Sequence, residues 1–175
     1  MRKKQYLAIA FLLLLIVVQF VYYAIVLPDR VPQHFDAGGA PDSWTTKWES
    51  LAIVLIVYLI TVVTLVPVVV LAKCLKKHFW LDSLLNLPNK QYWLSPERRN
   101  ETMRYMHEAI LWIAIATLAL LIGVMQFVLM GSRENVQHFS VTGFLVVMSV
   151  YLAYIAVWCV QFYRRFSLKA QKNNE

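Results

Sequence analysis

"LAIVLIVYLITVVTLVPVVVLA", residues 51–72, decides the fold. It holds no Asp, Glu, Lys, Arg or His, so a helix built from it is apolar on every face. A surface helix of a water-soluble bundle needs polar residues on its outer side, because only one stripe of it is buried. A run that is apolar all round and at least about 20 residues long instead fits a hydrocarbon core about 30 Å thick. Residues 7–27, 109–130 and 141–163 have the same character. Together the runs raise the apolar fraction of this 175-residue chain to 59%, against about 45–50% in an average soluble domain. The expected fold class is all-α: a polytopic, four-transmembrane-helix bundle, with residues 1–175 forming a single membrane domain. The first run follows Arg2, Lys3 and Lys4, as a secretory signal would. It is longer than a signal core of about 7–15 residues and ends in "YYAIVLPDR" without a small-residue cleavage site, so we read it as a retained span.

The cations orient the bundle. Arg2, Lys3 and Lys4 precede the first span; Lys73, Lys76, Lys77, Lys90, Arg98, Arg99 and Arg104 fall between spans two and three; Arg164, Arg165, Lys169 and Lys172 follow the fourth. The opposite side has Arg30, Lys47 and Arg133. Lys and Arg accumulate on the cytoplasmic side of membrane proteins, so both termini are expected inside and residues 28–50 outside. The net charge of +7 then reflects cations facing anionic lipid rather than a nucleic-acid partner. Cys74 and Cys159 both fall near inner span ends, so no disulfide framework is implied.

Within the spans, Gln19, Thr61, Thr64, Thr117, Gln126, Ser149 and Gln161 are expected to bond between helices. No acid or base sits at mid-membrane, where a transport pathway would place one. Pro67 is expected to bend span two, and Gly123 to allow close helix approach. Tyr22, Tyr23, Trp44, Trp48, Trp158, Tyr163 and Phe166 flank the runs as an aromatic belt.

Between spans two and three, Ser95-Pro96-Glu97 reads as a helix start, with Ser95 as N-cap. The preceding "LPNKQYWL" is apolar but too short to span. It suggests an interfacial cytoplasmic helix, with Lys90, Tyr92, Trp93, Arg98 and Arg99 contacting lipid headgroups or a cytoplasmic partner.

The outer connection, "LPDRVPQHFDAGGAPDSWTTKW" (residues 27–48), reads as a structured loop. Pro28 and Pro32 dictate extended backbone, Gly38-Gly39 permits a reversal, and Asp42 is expected to N-cap an amphipathic turn carrying Trp44 and Trp48 on one face. Candidate ligand-binding residues are His34, Phe35, Asp36, Gly39, Asp42, Trp44 and Lys47. The plainer reading of the acids is turn-capping, with His34 bonded to loop backbone. The sharper one brings His34, Asp36 and His138 together on a zinc-like ion, "QHF" occurring at both 33–35 and 137–139. No nucleophile, metal-protease, redox or phosphate-loop motif is present; no cofactor is expected, and the balance leans away from an enzyme.

Leu27, Pro28, Val31, Pro32, His34, Phe35, Gly39, Asp42, Trp44 and Lys47 resemble the signature of the DUF1648 family of bacterial membrane domains. "NLPNKQYWLSPERRNET" is similar to the second block of a four-span subgroup. The first block is also distantly similar to the N-terminal part of SdpI-type immunity proteins, which protect cells from a secreted peptide toxin and can hold a repressor at the membrane. The resemblance implies a multi-pass protein of the bacterial cytoplasmic membrane, surrounded by lipid. An outward loop would meet a peptide or other envelope ligand, and the inner segment a cytoplasmic or membrane partner. A structural subunit of a larger complex and a metal-assisted hydrolase are the alternatives.

Overall fold

A computed structural model of the chain describes residues 2–77, 85–134, 136 and 138–167. Gln137 of the second "QHF", Lys169, Lys172 and the Cys74 side chain lie outside the described residues. The order is α1 (Arg2–Val26), β1 (Arg30–Phe35), β2 (Pro41–Thr46), α2 (Lys47–Lys77), α3 (Lys90–Trp93), α4 (Arg99–Gly131) and α5 (Val141–Arg165). Among the described residues, four helices are long and apolar enough to cross a membrane, over Lys3–Val26, Lys47–Val70, Arg99–Gly131 and Val141–Arg165. Helix is the expected outcome for such runs, because hydrocarbon offers the backbone no hydrogen bonds and each span must satisfy its own. Protein buries little of them: 17%, 11%, 17% and 0% of the most apolar window of each. Phe11 and Val17 on α1, Ile60 and Val63 on α2, and Val150 and Val160 on α5 are all more than half exposed. Apolar surface this continuous is stable against lipid and not against water. These are the features of a membrane protein.

The chain divides into two compact units. The first comprises Met1–Thr64 and Ala114–Tyr151. Tyr23, Leu27, Val31, Leu51, Val54, Tyr58, Leu118 and Leu129 are buried there. A directed hydrogen-bond chain crosses three helices of this unit. The Tyr58 hydroxyl of α2 donates to Gln19 Oε1 of α1. Gln19 Nε2 donates to Gln126 Oε1 of α4 at 2.8 Å and to the Ile122 carbonyl at 3.3 Å, and Gln126 Nε2 donates to the Tyr23 hydroxyl at 2.9 Å. Both glutamines therefore bond between helices as the sequence leads one to expect. Each such bond contributes about 0.6 kcal/mol on average in a membrane, with maxima of about 1.7. Gly123 is less demanding than expected, since a Cβ there would make only an ordinary 3.5 Å contact with Val147. The tighter approach is at Gly143 of α5, where a Cβ would lie 2.6 Å from the Phe127 ring of α4.

The second unit comprises Leu65–Ile113 and Leu152–Glu175. Leu87, Trp93 and Phe166 form its buried cluster, flanked by Tyr92, Tyr105, Met106 and Phe162. Trp93 and Phe166 meet edge to face at 5.4 Å. Trp93 Nε1 and Asn89 Nδ2 both donate to the Phe166 carbonyl, at 3.3 and 3.0 Å, satisfying a group just past the end of α5. Asn89 holds a left-handed φ of 53° to reach it. Arg165 pairs with Glu101 of α4 at 2.6 Å. The expected helix start at Ser95 is three positions early in the regular helix: residues 96–98 form a turn, Arg99 N–H donates to the Ser95 carbonyl at 2.9 Å, and α4 begins at Arg99.

Candidate functional site

The connection between the first two spans is a two-stranded antiparallel hairpin rather than a loop. Arg30 pairs with Thr46, Val31 with Thr45, Pro32 with Trp44, His34 with Ser43 and Phe35 with Pro41, with irregularities around His34. Proline is tolerated in strands that keep a free edge, and a two-stranded ribbon has only free edges. Val31 of the ribbon is fully buried within the first unit. At its root, Lys47 N–H donates to the Asp29 carbonyl at 2.9 Å, and Lys47 Nζ lies 3.7 Å from the Asp29 carboxylate.

Two expectations need correction here. Asp42 does not cap a helix, and Trp44 and Trp48 do not share a helical face, because Pro41–Thr46 is strand with alternating exposure. The cap of α2 is Thr46. Its hydroxyl accepts from Glu49 N–H at 3.3 Å, while Glu49 Oε2 accepts from Thr46 N–H at 3.1 Å and from the Thr45 and Thr46 hydroxyls at 2.5 and 2.8 Å. This reciprocal box satisfies donors on both sides of the helix start. Thr-x-x-Glu at 46–49 is the sequence signal that would have found it.

The hairpin tip is held by Asp36. Its Oδ1 accepts from Gly38 N–H at 2.8 Å and Ala40 N–H at 2.9 Å, and its own N–H donates to the Ala40 carbonyl at 2.8 Å. The capping role read for Asp36 is thus what the structure has. Gly39 turns the chain with φ 89°. Its carbonyl accepts from Phe139 N–H at 2.8 Å, and a Cβ on Gly39 would collide with the Phe139 carbonyl and lie 2.8 Å from His138 Cε1. The tip is therefore docked by backbone on the segment that follows α4, and Phe35 meets Phe139 at 5.6 Å.

His34 is held by a carboxylate rather than by loop backbone. Its Nδ1 lies 2.7 and 2.8 Å from the two oxygens of Asp42, across the ribbon. A carboxylate is acceptor only, so Nδ1 carries the proton and the ring is fixed in the tautomer that leaves Nε2 as an acceptor, or as a second donor when the ring is charged. His34 and Asp42 side chains are 70% and 47% exposed, so the pair orients the ring more than it stabilises the fold. Beside it runs an open groove of about 390 Å³, lined by hairpin residues Gln33–Ala37 and by Val128, Phe139, Val141, Phe144 and Leu145. It offers a largely apolar bed with one oriented imidazole on its rim. Trp44 is exposed on β2, and Lys47, mostly covered, lies 5.4 Å from the Trp48 ring. Among the described residues no three His, Cys, Asp or Glu side chains converge as metal ligands, and His34, Asp36 and His138 do not.

The inner candidates are placed differently. Trp93 and Arg99 are each 3% exposed, taken up by the interior of the second unit and closed to lipid or partner. Trp93 is buried because its ring has aromatic neighbours and its N–H a carbonyl acceptor. Lys90, Tyr92 and Arg98 remain partly exposed, with Arg98 stacked 4.1 Å from the Tyr92 ring centre.

Residues 9–59 match the family model DUF1648, a domain of unknown function, and the matched stretch takes in most of α1, the hairpin and the first part of α2. No curated protein and no solved structure matches the chain.

Proposed function

We propose that this is a non-enzymatic, multi-pass protein of a bacterial cytoplasmic membrane, with both termini inside. Its hairpin is displayed outside to recognise an envelope-side ligand, a peptide being the candidate. The observation that carries the reading is the docked tip: Gly39 and Phe139 are joined by backbone, and Asp36 satisfies the turn internally. A ribbon fixed at both ends presents a surface whose ordering cost has been met before a ligand arrives. The groove beside His34 suits an apolar side-chain row, and the imidazole adds one directional bond. The immunity-like resemblance of this segment points to the same ligand class, with peptide-toxin protection or envelope-stress signalling as the outcome.

The test is a deletion strain challenged with a panel of membrane-active peptides and envelope stresses. Sensitisation restored by the wild-type gene, and not by His34→Ala or Asp42→Ala at equal protein level, is expected. Unchanged sensitivity across the panel, or full rescue by both variants, overturns the proposal. The second reading, a structural subunit of a larger membrane complex, is favoured by α5, whose apolar window has no buried residue. It requires a stoichiometric partner on purification in mild detergent.

A further inference from the structure

A second hollow in the first unit, of about 380 Å³, is lined by Pro28, Arg30, Trp44 and Glu134. Pro28 and Arg30 come just after α1, Trp44 just before α2, and Glu134 just after α4. These are the points where apolar helices stop, so the hollow sits at headgroup depth whichever way the protein is oriented. Arg30 and Glu134 are both exposed, and among the described residues neither side chain has an ion-pair or hydrogen-bond partner, including the other. The Trp44 ring beside them is 41% exposed. Two charges of opposite sign line one hollow, and no described residue neutralises either.

Each wall selects part of a ligand. A guanidinium presents a planar fork of donors that matches phosphate oxygens. A carboxylate accepts N–H bonds from a primary ammonium, and an indole face attracts the same cation. A quaternary ammonium has no N–H to give Glu134, and a headgroup with a phosphate but no cation leaves that carboxylate uncompensated. We propose that this hollow binds the headgroup of a zwitterionic aminophospholipid of the surrounding bilayer, with the phosphate on Arg30 and the ammonium between Glu134 and Trp44. The site would hold the hairpin root against the membrane surface. It is independent of what the groove beside His34 recognises.

The test uses the full chain in nanodiscs made from equal phosphatidylethanolamine and phosphatidylglycerol, with lipids retained on release counted by native mass spectrometry. Wild type is expected to retain phosphatidylethanolamine over phosphatidylglycerol by about tenfold, the scale of one charge-assisted hydrogen bond. Glu134→Gln should lower that ratio severalfold while phosphatidylglycerol is still held through Arg30. Arg30→Gln should lower retention of both lipids. Trp44→Phe should preserve the preference better than Trp44→Ala. Equal retention of the two lipids by wild type, or an unchanged ratio in Glu134→Gln, overturns the proposal, and the wild-type arm does so without any variant having to fold.

Discussion

Replacing Gly39 by alanine should release the hairpin tip while leaving the spans assembled. The native φ of 89° lies in the region that side-chain-bearing residues rarely adopt, and holding alanine in such a conformation costs about 1–3 kcal/mol. The new Cβ would also collide with the Phe139 carbonyl. The segments must part, which removes the Phe139 N–H to Gly39 carbonyl bond, worth about 0.5–1.5 kcal/mol net. Together these effects give about 3 kcal/mol, or roughly a hundredfold in the local opening constant. Amide hydrogen exchange in detergent or nanodiscs reads this directly. Protection of the Phe139 and Asp36 amides should fall by roughly that factor, with amides of α1 and α2 unchanged. Gly38→Ala is the control: its Cβ would meet the Asp36 carboxylate, with Oδ1 at 3.3 Å, and has no positive φ to maintain. Phe139 protection in Gly39→Ala within twofold of wild type would refute the docking argument.

Three further substitutions probe the rest of the structure. Gln19→Leu removes the hub linking Tyr58, Gln126 and Ile122 and should lower stability by about 0.6–1.7 kcal/mol in a bilayer-like medium; full additivity of Gln19→Leu and Gln126→Leu in a double-mutant cycle would contradict the coupling. Thr46→Ala should cost about 0.5–2 kcal/mol and fray the start of α2, seen as lost protection at Glu49, whose N–H bonds the Thr46 hydroxyl. Trp93→Ala should destabilise the second unit by about 3–5 kcal/mol, and a change below 1 kcal/mol in thermal or denaturant unfolding would show that the cluster with Leu87 and Phe166 does not hold that unit together.

The spans were readable because residues 51–72 and their counterparts are apolar without periodicity, a pattern that only lipid tolerates. Gln19 and Gln126 could be recognised as residues needing partners, but their pairing spans 107 positions and depends on helix packing. In the hairpin, prolines and glycines marked extended chain and reversal correctly. Asp42 is a good cap in isolation, so local sequence points Pro41–Thr46 toward a helix start. Its strand character comes from pairing with Arg30–Phe35, a tertiary fact, and that same register carries Asp42 to His34. Trp93 misled for a related reason. An indole in a short apolar segment suits the headgroup layer, and only the Phe166 carbonyl, 73 residues away, makes burial the better outcome. Lys47 and Asp29 needed the hairpin closed before their contact could be seen.

The proposed recognition role requires the hairpin to be displayed outside the cell. Ala40 is exposed at the tip, and its backbone N–H, not its side chain, bonds Asp36, so Ala40→Cys is tolerated by the fold. In a Cys74→Ser, Cys159→Ser background, a membrane-impermeant maleimide applied to cells with only the outer envelope opened should label that cysteine in full. Labelling only after the cytoplasmic membrane itself is breached would invert the topology and contradict the proposed recognition role.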